Sequence, residues 1–297
     1  MLSAKLRLVA WLALGLAAGL ASGAEGPSPP QGDRMSGRFL RIAYDKDHVP
    51  LALQTAIVRY APVDAARRTP TVDLVAVIHI AEKSYYQQLN HDLAGYDAVL
   101  YELVAPDEFN VPQQGDVGNQ HPIAILQNGM KDILGLEFQL KGIDYTRKNM
   151  IHADMSPDQF AASMQSRGES VMTMLMRVFG YALTRQDEST GGASNGQLLL
   201  ALFDKNRTLA LKRICAEQFK DSEGSLMAVE GRHGSTLISG RNQVALAVLR
   251  KEIATGKAKI AILYGAAHMP NFQIRLRAEF GLAPVRTRWL VAWNLKP

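Results

Sequence analysis

Three short runs of almost unbroken apolar residues constrain the fold more than any other feature of the chain. Val72 to Ile78 (VDLVAVI) and Asp97 to Leu103 (DAVLYEL) lie in the first third, and Lys259 to Tyr264 (KIAILY) lies near the end. An apolar run without alternation suits a strand buried on both faces, as in a parallel sheet covered by helices. Further strand signals flank these three. Phe39 to Tyr44 and Leu51 to Ala61 carry β-branched and aromatic residues, and Asp45 to Pro50 between them supplies a hairpin turn. Arg288 to Leu295 (RWLVAWNL) closes the chain. The expected strands therefore gather at the two ends of the sequence.

The middle reads as helix. Ser156-Pro157-Asp158-Gln159 is a start signal, with Ser at the N-cap, Pro at the first position and Gln three residues after the cap. Helical patterns recur through Phe160–Met176, Gln197–Phe203 and Leu209–Phe219, and a polar Gly/Ser loop, Gln186 to Gly196, separates two of them. After the first apolar run, Ser84-Tyr85-Tyr86-Gln87 reads as another capping box, opening a helix that stops at Gly95 before the next strand. That is a compact βαβ unit. A last helix over Arg241 to Thr255, with Val244, Val248, Leu249 and Ile253 on one face, stops at Gly256 and leads into Lys259–Tyr264. The expectation is an α/β fold: a mixed sheet formed from both ends of the chain, with βαβ units and a central helical insertion over about residues 156–255.

The N-terminus reads as an export signal over residues 1–24. Lys5 and Arg7 precede an apolar run from Leu8 to Leu20, and Ser22 and Ala24 are placed for cleavage after Ala24. The run is shorter than the roughly 20 residues that span a bilayer, which favours a cleaved signal over a stable membrane anchor. Residues 25–37, with the Pro-rich GPSPPQ, read as a flexible tether. The 260 residues that follow suit one α/β domain over 38–297. Loss of Lys5 and Arg7 lowers the formal charge from +5 to +3, and no Lys/Arg-rich run occurs, so nothing supports a nucleic-acid partner. The single cysteine, Cys215, excludes an intramolecular disulfide and lies in an apolar helical pattern that suits an inert buried thiol.

Three polar residues stand at the carboxyl ends of the expected buried strands: His79 after VDLVAVI, Glu102 in DAVLYE, and His268 three residues beyond Gly265. Ligands of open α/β sheets bind outside the carboxyl ends of the strands. Two imidazoles and a carboxylate are a common ligand set for a divalent metal (Zn, Mn or Co), with positions left for water and substrate. Each residue alone has a plainer reading, as a hydrogen-bonded loop histidine or as the first solvated carboxylate after a strand. The set of three is the stronger signal.

Two segments carry a resemblance to the TraB/TIKI group of metal-dependent hydrolases. Ala76-Val77-Ile78-His79, the helix Ser84–Ala94 and Ala98-Val99-Leu100-Tyr101-Glu102 match in order and spacing a family pattern of strand, G-x-x-H, helix and strand ending in Glu. Arg241-Asn242-Gln243-Val244, followed after about twenty residues by Tyr264-Gly265-Ala266-Ala267-His268-Met269-Pro270, resembles the family's second signature. The family's first Gly is Ala76 here. The resemblance covers residues 72–104 and 238–272 and leaves the middle uncovered. It implies that His79, Glu102 and His268 form the metal or catalytic set, that Arg241 binds an anionic group or stabilises a developing oxyanion, and that Asn242 orients the same network. It also implies a peptide or small-molecule substrate. A cation at a helix start opposes the helix dipole, so Arg241 is expected to have a carboxylate partner, with Glu102 the first choice.

Other polar residues are weaker candidates. Asp144, Tyr145, His152 and Asp154 precede the capped helix and could line the crevice, although a loop with polar caps accounts for them better. His233 lies in a polar Gly-containing turn. Met164, Met172, Met174 and Met176 crowd one helical region, where core packing is the default and an adaptable groove the alternative. Asn206-Arg207-Thr208 is a glycosylation sequon, meaningful only on a eukaryotic secretory route. Two functional classes stay open: an exported metal-dependent hydrolase acting on peptide or other amide bonds, and a non-catalytic exported binding protein, for a peptide or for haem or iron, on the same fold.

Overall fold

The computed structural model describes residues 39–64, 70–105, 134–170, 204–230 and 234–297. The expected signal peptide and tether, the loop 186–196, His233, and Met172, Met174 and Met176 lie outside them. The fold is α/β, with a seven-stranded mixed sheet. In chain order its strands are β1 (Leu40–Tyr44), β2 (Pro50–Pro62), β3 (Thr71–Val77), β5 (Ala98–Tyr101), β7 (Met150–His152), β8 (Lys259–Gly265) and β9 (Leu282–Asn294). A small second sheet pairs β4 (Ile80–Ala81) with β6 (Glu137–Phe138). The helices are α1 (Lys83–Leu93), α2 (Gln139–Gly142), α3 (Pro157–Ser166), α4 (Arg207–Glu230), α5 (Arg241–Ala254) and α6 (Met269–Phe280).

Both chain ends build the sheet. β1 and β2 form the expected antiparallel hairpin. β2 pairs with β1 over its first half and with β3 over its second, so its whole other edge takes β9. β9 begins at Leu282, well before the expected Arg288. Beyond β3 the sheet is parallel, in the order β3, β8, β5, β7. The unit β3–α1–β5 exists, yet its strands are not neighbours, because β8 from the far end of the chain lies between them. This interleaving brings the carboxyl ends of β3, β8 and β5 side by side.

The apolar runs are explained by burial on both faces. Val75, Val77, Val99, Ala261 and Leu263 pack with Tyr85, Tyr86 and Leu89 of α1. Leu74, Ala76, Leu100, Ile260, Ile262 and Tyr264 face the other way, against Leu246 and Leu249 of α5 and Phe272 and Leu276 of α6. A strand between two helical layers has no solvated side and hence no polar alternation. The exception, Asp73 in β3, is buried with both oxygens held by Arg59 at 2.9 and 2.8 Å and one also by the Tyr96 hydroxyl at 2.6 Å.

Local signals succeed and fail for visible reasons. Ser156 caps α3 as expected, with its side chain and that of Gln159 bonding reciprocally to backbone N–H groups. The box at Ser84 is not used: α1 opens at Lys83 behind Glu82, whose carboxylate bonds Lys212 of α4 at 2.6 Å. Gly256, at φ 88°, ends α5 in the left-handed region, as its position implied. The buried stripe of α5 is rotated from the expected one. It runs through Arg241, Asn242, Ala245, Leu246 and Leu249, while Val244, Val248 and Ile253 are half-buried. That rotation turns Arg241 and Asn242 inward.

Candidate functional site

β3, β5 and β8 are parallel and in register, with Ala98 to Tyr101 of β5 opposite Ile260 to Leu263 of β8. Glu102 still donates its N–H to Leu263 O at 3.1 Å, which places its side chain at the mouth of the sheet. β8 ends at Gly265, a 3-10 turn over Ala266–His268 follows, and α6 starts at Met269 with Pro270 in its first turn. His268 is buried and packs edge-on against Tyr264, with ring centroids 5.1 Å apart, and alongside Phe272. His79 stands on the turn between β3 and β4 and is exposed.

The three sequence-predicted residues come together at Gly265. A Cβ built there would lie 3.3 Å from Glu102 Oε2, 3.7 Å from His79 Nε2 and 3.8 Å from His268 Cδ2. The two imidazoles are therefore within about 7.5 Å of each other, the sum of the last two distances. Gly265 also donates its N–H to Glu102 Oε2 at 2.6 Å. Any larger residue at 265 would press on that carboxylate.

Glu102 sits in a buried chain of charges. Its Oε1 is 2.8 Å from Arg241 Nη2 and 3.5 Å from His268 Nε2. Arg241 grips Asp154 with two bonds, Nε to Oδ1 at 2.9 Å and Nη2 to Oδ2 at 2.5 Å. All three side chains are under a tenth exposed. Burial alone would raise the Glu102 carboxyl, yet Arg241 foremost, then His268 and His79, hold it well below its ordinary value. Burial opposes the charge on Arg241 as well, and Glu102 and Asp154 more than restore it, so the guanidinium stays charged. Two carboxylates against one guanidinium leave one net negative charge in the cluster.

Arg241 is engaged within the protein itself. Its Nε and Nη2 are taken by two carboxylates of the protein, so it holds Glu102 in place. The expected partnership with Glu102 is present. The dipole reasoning behind it does not apply, because a π-helical turn over Thr236–Gly240 runs straight into α5 and Arg241 is not at a free helix start. The cap is Ser235, whose side chain accepts from Ile238 N at 3.1 Å.

The imidazoles have defined hydrogen-bond partners. Asn242 donates through Nδ2 to His268 O and to Asn271 Oδ1, both at 3.0 Å, so its Oδ1 faces His268 Nδ1 at 2.6 Å. An amide oxygen needs a donor, so Nδ1 carries the proton. A neutral His268 therefore presents the Nε2 lone pair towards Glu102, and two acceptors so placed repel unless a cation, a proton or a metal, stands between them. His79 Nδ1 has a similar partner, Gln139 Oε1, at 2.9 Å.

The donor chemistry fits a divalent metal. Imidazoles with the remote N–H held by an oxygen, a carboxylate kept ionised, and a net negative cluster are what such a site uses. Among the described residues, no group of three His, Cys, Asp or Glu side chains stands where it could hold a metal ion.

The weaker candidates divide. Asp154 enters the site through Arg241, and Tyr145 lies behind His79 through Gln139, whose Nε2 donates to the hydroxyl at 3.0 Å. His152 stays outside, with Nε2 bonded to Leu103 O at 2.6 Å. Asp144 organises the turn through Thr146 and Arg147. Cys215 is partly buried in α4, and burial pushes its thiol up, away from a reactive thiolate. Asn206 is exposed. Gln139 and Asn271 were missed by sequence reasoning. Asp154 had a usable signal, its place just past the carboxyl end of β7, but a three-residue strand is too short to show as a pattern. No protein-family model, curated protein or solved structure gives a significant match to this chain. Among the described residues, no helix is long and apolar enough to cross a membrane.

Proposed function

We propose that the cluster at Gly265 is the centre of an exported hydrolase acting on peptide or other amide bonds, with a divalent metal (Zn, Mn or Co) held by His79, Glu102 and His268. One observation carries this reading: His79 Nε2, Glu102 Oε2 and the His268 ring surround a single backbone position that has no side chain. The residues divide the work. Asn242 keeps the proton on His268 Nδ1, leaving Nε2 as a donor of electrons. Arg241 keeps Glu102 ionised and oriented, and Asp154 anchors Arg241. The exposed position of His79 gives a substrate access to the cluster. A bound divalent ion lowers the pKa of water and polarises a carbonyl, which is the chemistry that amide hydrolysis needs. The resemblance of residues 72–104 and 238–272 to TraB/TIKI hydrolases supports the same reading, and the apolar N-terminal run of residues 8–20 supports export.

The test is metal analysis of the purified mature protein, followed by chelation, reconstitution and a peptide-library cleavage screen. Cleavage that is lost on chelation and restored by one metal supports the proposal. Stoichiometric absence of metal after reconstitution, with no cleavage, overturns it. A second reading, a binding protein without turnover, is favoured by the engagement of both Glu102 oxygens with Arg241 and the Gly265 N–H. It predicts retention of a peptide or of haem iron without products.

A further inference from the structure

His79 lies on an exposed turn, yet a residue that belongs to no motif holds it at two points. Gln139 opens α2, directly after β6, and is buried. Its backbone N–H donates to His79 O at 2.8 Å, and its side-chain Oε1 lies 2.9 Å from His79 Nδ1. The pairs Ile80 with Phe138 and Ala81 with Glu137 tie the two segments together beside that grip. On the other side of His79, the Tyr86 hydroxyl donates to Ile78 O at 3.0 Å. The turn is thus fixed by backbone bonds on both flanks, and its direction is not left to the histidine side chain.

The far end of the Gln139 amide decides what the ring must do. Nε2 of Gln139 donates to the Tyr145 hydroxyl at 3.0 Å. Burial pushes the Tyr145 phenol up, so it stays a neutral hydroxyl that can accept this bond. With its nitrogen so placed, the amide turns an oxygen to His79 Nδ1, and only an N–H can answer it. The N–H on Nδ1 leaves the lone pair on Nε2, the atom that lies beside Gly265 and Glu102.

We propose that Gln139, backed by Tyr145, is a positioning residue that holds His79 in the Nδ1–H tautomer and so presents its Nε2 lone pair to the cluster. The inference rests on His79 being a site residue in the reading above. It makes His79 and His268 a matched pair, each with Nδ1 answered by a side-chain amide oxygen, one from α2 and one from α5. An amide turned end for end, with Tyr145 as donor, would impose the opposite tautomer and close Nε2 with a proton. The ring nitrogens therefore distinguish the two arrangements directly.

The experiment is nitrogen NMR of the full mature chain, metal-free, with 15N-labelled histidine, at a pH where the imidazoles are neutral. In the wild type, His79 should show a protonated Nδ1 and a bare Nε2. Gln139→Leu should move both His79 ring nitrogens to averaged positions between the two tautomers and leave the His268 pattern unchanged. Gln139→Glu, which keeps an acceptor at the same place, should retain the wild-type tautomer. Should the leucine variant not fold, Tyr145→Phe removes only the hydroxyl that pins the amide and should give the same averaging. A His79 protonated on Nε2 in the wild type, or a wild-type pattern in whichever of these two variants folds, overturns the proposal. Because the readout is a ring nitrogen in metal-free protein, absence of metal uptake or cleavage would sink the hydrolase reading and leave this result standing.

Discussion

Replacing Arg241 by methionine removes the single cation between two buried carboxylates. The change keeps an unbranched stem without the guanidinium and strands Glu102 and Asp154, both of which bond Arg241 in a cluster that is less than a tenth exposed. Breaking a buried pair by deleting one partner costs about 3–5 kcal/mol, because the remaining charge is left uncompensated. For a domain of this size that corresponds to a fall in Tm of about 10 °C. Arg241→Lys keeps the charge but cannot make two bonds to Asp154 and also reach Glu102, so loss of charge-assisted bonds should cost about 2 kcal/mol. Urea denaturation at a series of pH values is the assay. Glu102 is held well below its ordinary value of 4.5 in the folded protein. A depressed carboxylate contributes stability that is fully present above its unfolded pKa and is lost as the pH falls through the folded value. The wild type therefore loses more stability below about pH 4.5 than the methionine variant does, since the largest of the charges that hold Glu102 down is gone there. The difference between them should be full at pH 7 and should shrink on acidification. A methionine variant within about 1 kcal/mol of wild type at pH 7, with a gap independent of pH, would refute the coupled-charge account.

Three further outcomes are expected. His79→Ala leaves the Gln139 oxygen to solvent at an exposed turn and should cost about 1 kcal/mol, whereas His268→Ala strands the Asn242 oxygen in a buried place and should cost about 2 kcal/mol; both should abolish the proposed metal-dependent cleavage, as thermal melts and a peptide assay would show. Gly265→Ala would place a Cβ 3.3 Å from Glu102 Oε2, so hydrolytic activity should fall while the melting curve moves little; full activity in this variant would mean that the carboxylate position is not critical. Material recovered from the secretory route should begin near Glu25, and N-terminal sequencing that starts at Met1 would contradict export by cleavage.

The amino-acid sequence by itself determined the layered α/β character of this protein and the level at which its candidate site lies. The signals involved are local. An unbroken apolar run such as VDLVAVI reports burial on two faces, and Ser156 with Gln159 reports a helix start through bonds between near neighbours. Because parallel strands share one direction, His79, Glu102 and His268 at their carboxyl ends had to emerge on one side of the sheet. Tertiary structure decided the rest, since it depends on contacts between residues far apart in the chain. β8 enters between β3 and β5 only through pairing with both. The bond from Arg241 to Asp154 joins residues 87 positions apart, and no spacing rule foretells this second carboxylate partner beside Glu102. Gln139 reaches His79 across 60 positions, from the first residue of a four-residue helix too short to carry a pattern of its own. The orientation of each imidazole rests on such distant amides. For that reason the kinds of residue at the site were legible in the chain, while the atoms free to do chemistry were set by packing.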